Sequence, residues 1–163
     1  MQRKTGYLAI SILLALSSQA YAAEDMAPDE ITLNQAHVKQ IGNWNNTEIA
    51  QDGAFNKATV KQRGNVNDYY LTQHGTNNTA FAEQIGNNNS ASVAQYGSGN
   101  EAYVSQYGSS NDAAINQYGY NNYASITQYG SGNQANINQY GTGLSAAVVQ
   151  HGVGLPITVN QSN

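Results

Sequence analysis

The sequence predicts an all-β fold, a two-sheet β-solenoid in which short strands coil around a thin core. Three observations predict it: a motif that recurs every eleven residues without insertion, special residues at every second position inside each repeat, and a glycine between successive repeats. An eleven-residue period is also typical of a right-handed helical coiled coil. Glycine and asparagine in every repeat would interrupt such a helix, so the pattern favours strands.

The segment 1–22 is predicted to be a secretion signal peptide. Arg3 and Lys4 form a basic start, an apolar run follows at 8–16, and small residues precede a cleavage site expected after Ala22. The apolar run is too short for a membrane anchor. We therefore expect a mature chain that is secreted and has no segment inserted in the membrane.

The composition excludes several classes of protein. Only 10% of the residues are charged and 40% are hydrophobic, with 2 Phe and no Cys, which leaves too little aliphatic mass for an ordinary core and no disulfides. Four basic and ten acidic residues follow Ala22, a net charge of −6 with histidine neutral, which argues against nucleic acid as a partner. No charged side chain follows Asp112, and uncharged Asn, Gln, Ser and Tyr favour β-aggregation.

The repeat region is predicted to span residues 34–163, after a short acidic segment at 23–33. Its most regular position is glutamine, at Gln40, Gln51, Gln62, Gln73, Gln84, Gln95, Gln106, Gln117, Gln128, Gln139, Gln150 and Gln161. Glycine follows two places later, at Gly42, Gly53, Gly64, Gly75, Gly86, Gly97, Gly108, Gly119, Gly130, Gly141 and Gly152. Because glycine and asparagine tolerate positive φ, the G-x-x-N segment is predicted to be the turn between strands.

Two further positions share one strand face with the glutamines. Asparagine comes five places after glutamine, at Asn45, Asn56, Asn67, Asn78, Asn89, Asn100, Asn111, Asn122 and Asn133, until Leu144 and Leu155 replace it. An aliphatic residue comes nine places after glutamine, at Ile49, Val60, Leu71, Val93, Val104, Ile115, Ile126, Ile137, Val148 and Val159, with Ala82 the exception. We predict an aliphatic core between the two sheets, with Gln and Asn hydrogen-bonded along the axis as amide ladders.

Two eleven-residue repeats close one rung, so the strands ending at alternate glutamines should form two facing sheets of six rungs. At about 4.8 Å per rung the array would be about 29 Å long. A lone rung buries too little apolar surface to offset the backbone entropy that it loses on folding, so rungs must stack on one another. No polar cap is evident at either end, and an open sheet end is a template for another chain. The sequence therefore predicts a polymer of the cross-β type.

Tyrosine occupies the outward position after glutamine in five consecutive repeats, at Tyr96, Tyr107, Tyr118, Tyr129 and Tyr140. These side chains are expected to stack in two ranks, one on each face, and to stiffen the sheets. A functional alternative for this outward aromatic rank is an adhesive or dye-binding surface.

The sequence gives no indication of catalysis. His37, His74 and His151 are scattered, the acidic residues do not converge, and we predict neither an enzyme nor a bound metal or cofactor. A rival from another class is a monomeric solenoid that binds ice or glycans. Dilution would separate the two, because a binding solenoid stays folded and monomeric, whereas a polymerising chain starts disordered and assembles after a lag.

The unit Q-x-G-x-x-N-x-A-x3-Q, over residues 34–163, resembles the repeat of curlins, the subunits of an extracellular functional amyloid called curli. The resemblance implies a fimbrial fibre on the bacterial outer surface that serves adhesion and biofilm matrix. It also implies a homologous major subunit as partner, besides the chain itself, and accessory proteins for secretion and surface anchoring.

The uniform A-x-[IV]-x-Q and the tail from Ala135 onward look more like the minor curlin subunit, which nucleates the fibre. The regular QYGSGN units leave the major subunit as the alternative. The anchoring segment of the minor type would fall on residues 151–163.

Overall fold

A computed structural model describes residues 7–14, 18–21 and 33–163 of the chain. Within these residues there is no helix, and every repeat contributes one strand. The strands are β1 (Tyr7–Leu14), β2 (Ser18–Tyr21), β3 (Gln35–Ile41), β4 (Asn45–Ala54), β5 (Lys57–Asn65), β6 (Asp68–Thr76), β7 (Thr79–Asn87), β8 (Ser90–Ser98), β9 (Glu101–Ser109), β10 (Asp112–Tyr120), β11 (Tyr123–Ser131), β12 (Gln134–Thr142), β13 (Ser145–Val153) and β14 (Pro156–Ser162).

Alternate strands build two facing sheets, as predicted. One sheet has the order β1-β4-β6-β8-β10-β12-β14 and the other β13-β11-β9-β7-β5-β3-β2. From β3 to β14 all neighbours are parallel and lie two repeats apart in register, so that Gln95 pairs with Gln117 and Gln106 with Gln128. The six-rung, two-sheet β-solenoid is confirmed, because a chain that advances one rung every two repeats places each residue beside its own equivalent.

At the N-terminal end the backbone differs from the rest. β1 pairs antiparallel with β4, and β2 pairs antiparallel with β3. Both strands belong to the segment predicted as a signal peptide, whose cleavage site at Ala22 lies outside the described residues. The acidic segment predicted at 23–33 also lies outside them, apart from Leu33.

The corner of each rung differs from the expected G-x-x-N turn. The strands run through the glycine, which takes a φ between 105° and 144°. The second positive φ falls four places after glutamine, at residues such as Phe55, Val66 and Asn77, and not at the asparagine that follows. The asparagine is instead buried, as Asn78 and Asn100 are, because its amide makes hydrogen bonds between rungs.

Val66 is expected to be strained, because it is β-branched and has a φ of 57°. Asparagine occupies the equivalent corner at Asn77, Asn88 and Asn121 without a Cβ branch. Val66→Asn should therefore stabilise the solenoid by about 1 kcal/mol, measured as a lower soluble concentration in equilibrium with the assembled chain. The same change in a strand, Val149→Asn, should not stabilise it; an equal gain at both sites would contradict this account.

The core is a single layer of aliphatic side chains between the sheets. The predicted core residues are buried, except that Val159 is half-buried because it lies in the last rung. Two further residues, which the sequence pattern does not assign to the core, are buried as well. They are Val38 in the partial first repeat and Tyr69, which stands where most repeats have alanine. Ala82, the exception among the aliphatic positions, is also buried and lies in the repeat that follows Tyr69.

The hydroxyl of Tyr69 is buried and has no hydrogen-bond partner among the described residues. Burial raises the pKa of this hydroxyl above its usual range, so it stays neutral. Tyr69→Phe removes an unpaired polar group while keeping the ring, and it should stabilise the solenoid by about 1 kcal/mol. Denaturant titration of the assembled chain would show this as a higher midpoint. A lower midpoint would mean that the hydroxyl has a partner that stabilises the fold.

Candidate assembly site: amide ladders and sheet ends

Buried glutamines form one continuous ladder in each sheet. In each ladder, Nε2 of one glutamine donates a hydrogen bond to Oε1 of the glutamine one rung closer to the C-terminus. In one sheet the bond is 2.7 Å long from Gln62 to Gln84, 2.9 Å from Gln84 to Gln106 and 3.0 Å from Gln106 to Gln128. The ladder runs from Gln40 to Gln150 in one sheet and from Gln51 to Gln161 in the other. All donors point towards the C-terminal end, so each ladder has a direction.

The same glutamines join the two sheets. Gln106 Nε2 also donates to the backbone carbonyl of Ser90 in the facing sheet at 2.7 Å, and Gln128 Nε2 does so to that of Asp112 at 2.9 Å. Both protons of the amide are therefore used, and both side chains are fully buried. This satisfies the polar groups that a glutamine would otherwise bury at a cost.

Asparagines form a second ladder of opposite sense. The backbone N–H of Asn89 donates to Oδ1 of Asn67 at 3.1 Å, so this bond points back towards the N-terminal end. The Nδ2 of Asn89 meanwhile donates to the carbonyl of Gly108 at 3.1 Å. The Nδ2 of Asn89 also donates to Asn67 Oδ1 at 3.0 Å, so the side chains form a ladder as well, and the interior asparagines tie each corner to the rungs on both sides.

Glycines stack directly on one another at the corners. A Cβ added at Gly108 would lie 1.9 Å from the carbonyl oxygen of Gly130, and a Cβ at Gly97 would lie 2.0 Å from that of Gly119. Atoms cannot approach so closely, so the glycine column is required by the rung spacing as well as by its φ angles.

Tyrosines form two outward ranks, one on each sheet. Tyr96, Tyr118 and Tyr140 stack with ring centroids 4.9 and 5.0 Å apart, and Tyr107 stacks on Tyr129 at 5.0 Å. Their rings are nearly parallel, with interplanar angles of 3° to 10°. The ranks follow the rung spacing and are exposed to solvent along one side.

Histidines extend both ranks. His151 stacks on Tyr129 at 4.7 Å, and His74 lies 6.2 Å from Tyr96 in a tilted arrangement. The His74 Nδ1 also lies 2.7 Å from an Asp52 carboxylate oxygen in the preceding rung. The two tyrosine ranks are therefore each continued by an imidazole ring.

Charged side chains lie on the outer surface of the N-terminal rungs. The hydroxyl of Tyr107 donates to a Glu83 carboxylate oxygen at 2.7 Å, and this hydrogen bond to a carboxylate raises the pKa of Tyr107. Lys61 lies over the ring of Phe81, 5.5 Å from its centroid.

Over the described ranges no group of three or more His, Cys, Asp or Glu is arranged to hold a metal ion. The described residues also include no helix with the length and apolar character of a membrane span.

The two ends of the solenoid are the points at which the ladders stop. At the first rung, the buried Oε1 atoms of Gln40 and Gln51 accept no hydrogen bond from any described residue. At the last rung, the side chains of β14 are exposed or half-buried, and Leu155 is 44% exposed. Beyond β14 no strand continues the sheet within the described residues, so its outer edge is open to pairing.

A family model described as the curlin associated repeat matches the chain at residues 42–75, 64–97, 75–108, 86–119 and 108–141. No curated protein and no solved structure matches the chain. The repeat family and the solenoid are structural in character rather than enzymatic. The chain therefore belongs to the curlin family, whose members polymerise into extracellular surface fibres.

Proposed function

We propose that the mature chain is the minor subunit of a curli fibre, which nucleates polymerisation of a homologous major curlin at the cell surface. The observation that carries this proposal is the contrast between the body of the solenoid and its last rung. The body has unbroken ladders, whereas Leu144 and Leu155 interrupt the asparagine ladder at the end. A regular body suits a template, and an end that departs from it suits a chain that is not the repeating unit of the fibre.

Growth on this template follows from the backbone. An end rung offers the unpaired backbone groups of a strand edge in each sheet, with glutamine side chains already aligned at the rung spacing. When a chain docks on a preformed edge, only the incoming chain has to lose conformational entropy. When two disordered chains associate, both have to lose it. A surface-held copy of the chain would in this way remove the lag of a soluble curlin.

Localisation and accessory partners complete the proposal. The signal peptide at 1–22 would direct the chain out of the cytoplasm, and residues 151–163 would hold it at the outer surface through an accessory protein. The fibre would then serve adhesion and the biofilm matrix. The exposed apolar side chains of the last rung, among them Val153 and Leu155, are available for such a contact.

The test is a seeding experiment on a surface. A trace of the secreted chain is tethered to beads, and a soluble homologous curlin is added at a concentration at which it shows a long lag. We expect immediate fibre growth from the beads, seen by electron microscopy. Beads carrying the Gly108→Ala variant serve as the control. An unchanged lag on wild-type beads would contradict the nucleating role.

The major subunit is the second candidate, and the stacked tyrosine ranks favour it, because they repeat regularly along both sheets. Under that alternative the chain would form the bulk of the fibre alone. Labelled chain distributed along the whole fibre length would support it, whereas label confined to the origin of each fibre would support nucleation.

A further inference from the structure

The polar groups at the two ends of the solenoid are unequal. At the N-terminal end each glutamine ladder leaves an acceptor without a donor among the described residues, at Gln40 Oε1 and Gln51 Oε1. The strands β1 and β2 cover the backbone of this edge in the full chain. Once the predicted signal peptide is removed, β3 and β4 are the outermost of the described strands at this end, and their edge is available for pairing.

At the C-terminal end the asparagine ladder stops one rung early. The N–H of Leu144 donates to Asn122 Oδ1 at 2.9 Å, and that of Leu155 donates to Asn133 Oδ1 at 3.3 Å. Both leucines use the acceptor of the rung before them. Neither has an Oδ1 to offer to the next rung.

Stacking two copies head to tail shows the consequence. In the register of one rung per two repeats, Gln40 and Gln51 of one copy meet Gln150 and Gln161 of the other, so the glutamine ladders continue. Asn34 and Asn45 of the first copy, however, meet Leu144 and Leu155 of the second. The backbone N–H groups of these two asparagines would then be buried without the Oδ1 acceptor that every interior rung supplies.

We propose that the N-terminal rung is the end of this chain that accepts a partner, and that the partner it fits is another curlin-repeat chain whose last rung keeps asparagine where this chain has Leu144 and Leu155. Such a chain supplies Nε2 donors to Gln40 and Gln51 and Oδ1 acceptors to Asn34 and Asn45. A copy of this chain supplies only the former. The proposal rests on the proposed function, and it explains why the chain would template a homologue in preference to itself.

The test is unseeded self-assembly of the secreted chain, compared with the double variant Leu144→Asn and Leu155→Asn. We expect the variant to leave a soluble concentration at least about tenfold lower at equilibrium, equivalent to about 1.4 kcal/mol, and to assemble with a shorter lag. The control is the double variant Leu144→Ala and Leu155→Ala, which removes the leucines without adding an acceptor. It should assemble no better than the wild-type chain.

Two results would overturn the inference: no gain from the asparagine variant, or an equal gain from the alanine variant, which would mean that leucine bulk is the obstacle. Seeding of a homologous curlin by the wild-type chain is measured in parallel. Loss of that seeding refutes the nucleating role, whereas intact seeding with no gain from asparagine refutes only the account of the ends. The two failures are therefore distinguishable.

Discussion

Gly108→Ala is expected to abolish ordered assembly of the chain. The new Cβ would lie 1.9 Å from the carbonyl oxygen of Gly130, which belongs to the backbone of the next rung and cannot rotate away. The φ of Gly108, 129°, is moreover open only to glycine. Relief requires the two rungs to separate at this corner, which breaks the ladder bonds around it. Fibre yield measured by sedimentation should fall below detection at concentrations where the wild-type chain assembles fully.

Gly143→Ala is the matched control for this change. Gly143 also has a positive φ, 67°, but no atom lies within 4 Å of the position of an added Cβ. The variant should therefore assemble, at a cost of only about 1–2 kcal/mol for the left-handed conformation. If both variants assembled equally well, the close stacking of glycines would not be the constraint that the structure describes.

Gln106→Glu is expected to have the second largest effect, because it places a carboxylate in the middle of a buried ladder. The first carboxylate oxygen could still accept from Gln84 Nε2, as Gln106 Oε1 does at 2.9 Å. The second would face Gln128 Oε1 and the Ser90 carbonyl, two acceptors that now receive hydrogen bonds from Gln106 Nε2. Burying an unpaired charge costs several kcal/mol, so the soluble concentration at pH 7 should rise at least about a hundredfold.

The larger part of the defect in Gln106→Glu should disappear at acidic pH. Burial disfavours the charged form, which raises the pKa of the introduced carboxyl in the assembled chain above its ordinary value of about 4.3. A group whose folded pKa is raised leaves stability intact below the unfolded pKa and loses it as pH rises through the folded pKa. The variant should thus recover most of its assembly below about pH 4, where its single O–H can donate to one of the two acceptors that the amide serves.

Thr127→Glu is the control for the carboxylate, because Thr127 is half-buried on the outer side of its strand, between the buried Ile126 and Gln128. The soluble concentration of each variant is divided by that of the wild-type chain at the same pH. This ratio corrects for the effect of the native carboxylates, which titrate in both chains. A large loss that follows the same pH course in Thr127→Glu would show that net charge, and not the buried ladder, controls assembly.

Most of the architecture follows from periodicity. The eleven-residue repeat determines the register, because each residue can stack on its equivalent only if every second repeat falls in the same sheet. Alternation within the repeat then places Ile115 and Gln117 on the inner face and Tyr118 on the outer. These features need no knowledge of specific contacts, so the sequence alone was sufficient for them.

The corners and the ladder directions needed the structure. Asparagine tolerates positive φ, so its place in G-x-x-N suggested a turn residue, whereas hydrogen bonds to Gly108 and Asn67 hold Asn89 buried. The residue before it carries the positive φ instead, even where it is Val66. The direction in which each amide points is likewise set by bonds to backbone groups in the facing sheet. A residue pattern does not contain that information.

Mass per length of the assembled fibre tests the central claim most directly, namely that one chain forms six stacked rungs and polymerises through its ends. With six rungs at about 4.8 Å, each chain should occupy about 29 Å of fibre, and fibre diffraction should show a meridional reflection at the rung spacing. Electron microscopy of unstained fibres measures this mass. One chain per about 4.8 Å would mean that each chain forms a single layer, and it would contradict the solenoid.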